Sequence, residues 1–496
     1  MALSTVPENA LKRKGYFVFI SLLCLAGVAP TQAVQPVTAT QLMAWLAGGV
    51  PQARLRRIIQ ERGYQNAPTL RQIQEFQSAG ADEKLIRALP ASAHSATGAI
   101  STEIPASLLK TAVDAQAQSF HQAELDLRPA LSSDPKNAAL HFALGNLLMR
   151  QERWDDAFDE IRLSAELMPD FPENHNALAY IFYRLDDGPN AIAEARTALS
   201  MDPQNAEAYQ FLGLALFSSE QNAAAAHAFR ESLLRDPENS DTYYDLGIAL
   251  HAEGDFGGAL AAYRHAIRIK PAFWEAHSNL ALVLHEQNNL DAAVTEYTEA
   301  RRLAPQEASV RNNLGNTYCD QGNFDAALIE LRELYSSHPE WPQGHACLAR
   351  AYLARQDYTQ AIEQFHLALR RNPTGSAEHR MLGEALLLAD RLDEGVRELR
   401  LAVTLGPDSD TAHRGLGTAL FRLQQWVAAE TEFREALRLN SSPDNHFALA
   451  ACLMTMDRYP EALAELDAAA RLDPARALYR ARREELLRLM KVTSPQ

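Results

Sequence analysis

The chain has 496 residues, a formal net charge of −16 and a pI near 5.4. That balance leaves no basic footprint for nucleic acid and reads as a means of staying soluble. Such a length would ordinarily hold several domains, so the first question is how the sequence divides.

At the start, Lys12, Arg13 and Lys14 precede an apolar run from Tyr16 to Ala29, then Pro30-Thr31-Gln32-Ala33. A charged opening, a short apolar stretch and small residues at Thr31 and Ala33 resemble a secretory signal peptide (1–33) cut after Ala33. The apolar run has 14 residues, short of the roughly 20 that span a bilayer; an uncleaved anchor in the inner membrane is the alternative. Either way the remainder is expected to be exported, into the periplasm of a bacterium, with membrane attachment only if the segment stays uncleaved. Cys24 lacks the small preceding residues of a lipidation site, because Ser21-Leu22-Leu23 stands before it.

Residues 37–90 predict a small helical module. Thr40 caps a helix through Leu42, Trp45 and Leu46 that ends at Gly48-Gly49. Pro51 opens a second, closed by Gly63; Leu70, Ile73 and Phe76 mark a third before Gly80, and Leu85, Ile86 and Leu89 a fourth. The module is similar to a short segment of exported bacterial proteins in its GGVP…RLRRIIQERGY and AGADEKLIRAL stretches, a likeness that implies no activity. About fifty residues are few for an independent core. Residues 91–103, rich in Ala, Ser and Thr, read as a flexible linker.

Beyond the linker the sequence is periodic. Pro135, Pro169, Pro203, Pro237, Pro271, Pro305, Pro339, Pro373 and Pro407 follow one another at intervals of 34 residues, the mark of a stacked array. Between them run two apolar stripes at helical spacing, as in Leu314 and Tyr318, then Phe324, Ala327, Leu328 and Leu331, with Gln321-Gly322-Asn323 as the turn. Ten residues after each proline the side chain is small: Gly145, Ala179, Gly213, Gly247, Ala281, Gly315, Ala349, Gly383 and Gly417, each preceded by Leu. A second small slot follows twelve residues later, from Ala157 to Ala429, with a bulky residue four further on, such as Tyr263 or Phe365. Two small slots per unit let paired helix backbones approach closely.

This phased pattern resembles the tetratricopeptide repeat, over residues 104–476. The resemblance implies an all-α fold, an α-solenoid superhelix of stacked antiparallel helix pairs, with eleven units. The first (104–137) is degenerate, with Lys110, Thr111 and Asp114 in its first-helix slots. The last is shifted by one, with Asn440 in the proline slot. A further helix, 477–490, has a largely charged surface and reads as a cap, since end repeats need a polar outer face.

No chemistry stands out. HExxH, nucleophile elbows and strand-borne Gly-rich loops are absent from the sequence, so no enzyme activity, cofactor or metal is expected. Cys319, Cys347 and Cys452 lack CxxC spacing and read as small buried hydrophobes, free thiols shielded from oxidation. His141, His175, His277, His345, His379, His413 and His446 share one repeat slot with Tyr209 and Tyr243. A slot that takes either ring reads as packing, because stacked helices about 8–10 Å apart cannot bring its imidazoles to bonds of about 2 Å.

What the resemblance implies about binding falls on the first helices, which line the concave face. The slots that point inward hold Phe142, Tyr180, Tyr183, Phe217 and Tyr244 beside acidic Glu173, Glu207, Asp241 and Glu275. Asn312 and Asn316, with Asn279, Asn313, His251 and His285, follow in the middle, and Arg350, Arg380, Arg414 and Arg422 with Phe421 come last. The carboxylate clamp of chaperone-binding relatives is not matched, since Asn312 and Cys347 stand where lysine and asparagine are expected. The asparagine ladder of glycosyltransferase arrays is matched only at Asn279 and Asn313. The expectation is a non-enzymatic scaffold binding a protein or peptide partner in extended form, with the four arginines as a carboxylate-binding patch. Alternatives are an accessory of envelope polysaccharide handling that stacks sugars on the aromatics, and a cytosolic regulator of an enzyme.

Overall fold

The computed structural model describes residues 35–91, 103–338, 341 and 343–493. The expected signal segment and almost all of the linker lie outside them. The described residues form 27 α-helices and one isolated bridge, between Val37 and Tyr64. Contacts divide the chain into two compact units between Ser219 and Glu220.

The first unit opens with α1 (Ala39–Ala47), α2 (Gln52–Arg62), α3 (Leu70–Ser78) and α4 (Glu83–Ala91). Thr38, not Thr40, caps α1. Its hydroxyl accepts from the Gln41 amide while the Gln41 side chain accepts from the Thr38 amide. That reciprocal box needs Glu or Gln three residues on, and Thr40 has Met43 there. The module does not stand alone. Trp45 is fully buried and stacks on Phe171 with centroids 4.8 Å apart, and one continuous apolar core runs from Val37 to Ile181. Docking on the repeats supplies the core that four short helices lack.

Helix pairs follow, from α5 (Ala106–Gln116) and α6 (Phe120–Ser133) to α25 (Pro443–Thr455) and α26 (Tyr459–Leu472). Odd numbers are first helices and even numbers second. The small slots sit where the pair closes. A Cβ at Gly145 would lie 2.5 Å from Ile161, at Gly247 2.5 Å from Tyr263, and at Gly383 2.6 Å from Leu399. The second-helix slots Ala157, Ala191, Ala225, Ala259, Ala293, Ala327, Ala361 and Ala429 are fully buried. Between the two helices one residue takes a left-handed φ near +60° in repeat after repeat, as at Glu152, Asp186, Gln356 and Asp390, with glycine there at Gly254 and Gly322. Finally α27 (Ala477–Thr493) packs on α26, burying Tyr479 and Leu486.

From the second repeat on, within each unit, the first helices touch the first helices of the next repeat. Thus α7 (Ala138–Arg150) meets α9 (Pro172–Arg184), and α21 (Ser376–Leu388) meets α23 (Asp410–Arg422). Among the described residues neighbouring second helices make no comparable contact. The first helices therefore form the inner surface of each stack.

A disulfide joins Cys319 on α17 (Ala308–Asp320) to Cys347 on α19 (His345–Ala354), with Cα atoms 6.0 Å apart. This corrects the expectation of three free thiols. Consecutive first helices bring two residues separated by 28 positions within bonding reach, and short Cys spacing gives no sign of that. Among the described residues Cys452 alone stays free; it is buried, and burial pushes its thiol up to about 11.

Candidate binding surface

The inner face of the first unit begins under the module. Glu173, at the start of α9, is bonded by Arg54 of α2, whose Nη1 also lies 3.2 Å from Asp202. Arg57 reaches Asp202 at 2.6 Å, and Arg62 reaches the Asp170 carboxylate at 3.2 Å. Phe142 is buried, edge-on to Phe171 at 5.3 Å. Two expectations are corrected here. Phe142 and Glu173 do point inward, but α1 and α2 cover them, so neither is presented to a partner.

Past the module an aromatic cluster remains half-exposed. Tyr180 packs on Phe211 at 4.9 Å, edge-on to Trp154 at 5.9 Å and beside Tyr183 at 6.2 Å. The Arg184 guanidinium lies over the Trp154 ring at 4.4 Å and donates to the Tyr180 hydroxyl at 3.2 Å. Phe217, half-buried, lies in the last turn of α11 (Ala206–Ser218). Tyr244 belongs to the second unit. It packs against Phe273 at 5.0 Å and its hydroxyl accepts from Asn279 at 3.1 Å. Burial is the largest of the influences that push this phenol up to about 12.

The middle of the expected surface is partly closed. Asn312 is 2% exposed and its amide donates to Asn313 at 3.1 Å, which corrects its assignment as a contact residue; Asn316 stays half-exposed. His251 and His285 pair with carboxylates one repeat on, Glu286 at 2.8 Å and Asp320 at 3.1 Å. All four arginines are paired as well. Arg350 meets Asp320 at 3.2 Å, Arg380 meets Glu384 at 2.7 Å, Arg414 meets Asp444 at 3.6 Å and Arg422 meets Asp390 at 3.0 Å. The expected basic patch is thus four internal ion pairs.

The recurrent histidines face second helices. Nδ1 of His141, His175, His277, His379, His413 and His446 lies between 2.5 and 2.7 Å from Glu160, Glu194, Glu296, Glu398, Glu432 and Glu465. In His141 and His277 the other nitrogen faces a proline carbonyl, Pro135 at 3.0 Å and Pro271 at 3.3 Å. The hydrogen bond to glutamate is the main reason the pKa of these two imidazoles lies above its ordinary value. His345 has Gln364 instead, at 2.9 Å, and burial draws its pKa below the ordinary value. Among the described residues no three His, Cys, Asp or Glu side chains converge as a metal site would require.

The tetratricopeptide repeat model matches residues 113–175, 176–220, 212–272, 348–410 and 414–477, more than half of the chain. The chain belongs to the tetratricopeptide repeat family. Two further repeat models match 282–322 and 308–337, and the module falls outside every matched span. No curated protein sequence matches the chain. Among solved structures it is similar to MamA, at 25% identity over 34% of this chain and 97% of that one, with a TM-score of 0.31. Pseudomonas aeruginosa pilF matches at 19% identity over 44% of this chain and 96% of its own, with a TM-score of 0.38. Yeast Tom70 matches at 16% identity over 77% and 94%, with a TM-score of 0.32. This tetratricopeptide array is, like its family, a protein-interaction scaffold. The functional features that sequence reading missed are the cover that the module places on the inner face and the His–Glu pairs; a Glu or Gln nineteen residues after each histidine was the available signal.

Proposed function

We propose that this protein is an exported, non-enzymatic scaffold that binds an extended polypeptide along the first helices. The observation that carries the reading is the half-exposed cluster of Trp154, Tyr180, Tyr183, Phe211 and Arg184 on an inner face whose arginine and histidine charges are mostly paired. Rings with a polar tip offer stacking area and a hydrogen bond at small entropic cost, which suits side chains and backbone of a peptide more than a run of charge. The Cys319–Cys347 bridge supports export, since disulfides persist in oxidising compartments. Among the described residues no helix is long and apolar enough to cross a membrane.

Photocrosslinking in the native cell tests the reading. A benzoylphenylalanine at Tyr183 or Phe217 is expected to trap one protein, and one at Leu234, on an outward-facing second helix, is expected not to. A synthetic peptide from the trapped region should then compete. Trapping of glycan alone, or equal trapping at all three positions, would refute the proposal.

A further inference from the structure

Where the module meets the first repeats, a cavity of about 350 Å³ opens between the Gly48-Gly49 turn, the start of α2, and the ends of α5 and α7. Its walls are largely apolar, with Leu46, Leu147 and Phe120 the bulkiest side chains, and carry side-chain amides at Gln116, Gln118 and Asn146. The single charged residue on them is Arg150. In a chain of net charge −16, a cavity without one carboxylate is a departure that bears on its ligand.

Arg150 differs from the arginines of the later repeats. Among the described residues it faces no carboxylate; its guanidinium lies over the Phe120 ring, 5.6 Å from the centroid, and is exposed. It also lies close beside Gly49, where a Cβ would come within 3.2 Å of Nη2. A second electropositive element enters from the module. Helix α2 starts at Gln52 behind Pro51, which supplies no side-chain cap, and its first turn holds no acidic residue. The Arg54 and Leu55 amides bond the Pro51 carbonyl, and the amides of Gln52 and Ala53 before them lie at the positive end of the helix dipole. The wall is pinned, not loose: the Gln52 side chain donates to the Gly80 carbonyl and accepts from the Asp82 amide, both at 2.6 Å.

We propose that this cavity takes the carboxylate of a peptide end, with the guanidinium of Arg150 holding the anion and Leu46, Leu147 and Phe120 receiving the adjoining apolar side chain. The planar fork of arginine matches a carboxylate through two parallel hydrogen bonds. The position suits a chain terminus, because α1 and α2 close the inner face just beyond it. The identity of the ligand as a peptide rests on the scaffold reading above; the anion selectivity does not.

The probes are N-acetyl-leucine and N-acetyl-leucinamide, titrated by ligand-observed NMR against the full mature chain at low salt. The acid is expected to bind at least about tenfold more tightly than the amide, the worth of one charge-assisted hydrogen bond. Arg150→Gln should abolish that difference and Arg150→Lys should restore part of it, while Arg380→Gln, in a paired arginine, should leave it unchanged. Arg150 is exposed, so its variants are expected to keep the wild-type circular dichroism. Equal binding of acid and amide, no binding of either at millimolar concentration, or an acid preference that survives Arg150→Gln would overturn the site. Because neither probe reports on Tyr183, failure here and failure of crosslinking remain distinct results.

Discussion

Gln364→Glu is expected to stabilise the array, and to do so more at low pH than at high. His345 is the member of its slot that faces a neutral amide, at 2.9 Å, where six equivalents face glutamate at 2.5 to 2.7 Å. A neutral hydrogen bond contributes about 1 kcal/mol and a charge-assisted one about 1.5–3. The substitution should therefore add about 1 kcal/mol, less some screening because the ring is half-buried. The pH sign follows from linkage. In the wild type the folded pKa of His345 is depressed by burial, with Arg370 and Arg371 adding to it, so folding opposes protonation and stability falls as pH drops below the unfolded value near 6.5. In the Gln364→Glu variant the folded pKa of His345 should rise, as in His141 and His277, where the glutamate bond is the main cause. The added stability is then fully present below the unfolded pKa and is lost as pH rises through the folded one. Urea unfolding of both proteins from pH 5.5 to 8.5 measures the gap. A gap that is zero or negative at pH 5.5, or that does not shrink with pH, would refute the reasoning.

Other changes bear on the fold. Reduction, or Cys319→Ser with Cys347→Ser, should cost up to about 3–4 kcal/mol by loop-closure entropy for a separation of 28 residues. Alkylation in denaturant without reductant, followed by peptide mass spectrometry, should label Cys452, which is buried in the folded chain, and neither of the other two. Phe365→Ala empties a fully buried site and should cost about 3–5 kcal/mol; Ala327→Trp should cost about 1–3 kcal/mol or more by overpacking. Both should split or broaden the melt, since repeats couple to their neighbours, and an unaltered transition would contradict the helix-pair assignment. Trp45→Ala, which removes the stack on Phe171, should cost about 3–5 kcal/mol and loosen the first repeats. Unchanged hydrogen exchange in α7 and α9 would show the module to be separable.

The array was legible because each constraint is stated many times. One glycine means little, but Gly145, Gly247 and Gly383 recur in phase, and each meets the bulky second-helix residue that forbids a Cβ. The His slot was legible only in part. Its ring reads as packing, while the acceptor lies on the other helix, nineteen residues on. The signal was present: where the slot holds Tyr209 or Tyr243, Ala228 or Ala262 stands in place of the glutamate, and where it holds Arg311, Glu330 remains. Phe142, Glu173 and Asn312 escape sequence reading for a different reason. A repeat position says which way a side chain points, not what later covers it. The Arg54–Glu173 pair closes a separation of 119 residues, and no local pattern reports a contact of that range.

The arginines show how pairing alters the meaning of a charge. Arg350 and Arg422 take acids from the preceding repeat, Asp320 and Asp390, while Arg414 takes Asp444 from the following one. Such half-exposed pairs each contribute only about 0–1 kcal/mol, so they are not what holds the stack; the buried small slots are. Their effect is to remove free charge from the inner face. A partner that docks there gains little by bringing carboxylates, since each must first displace an internal one. Under the proposed function, recognition falls to rings and amides, and binding should depend only weakly on salt. Arg150 breaks this rule, having no internal acid to displace among the described residues. A salt-sensitive component confined to that one residue is what separates a peptide-end pocket from a general basic groove.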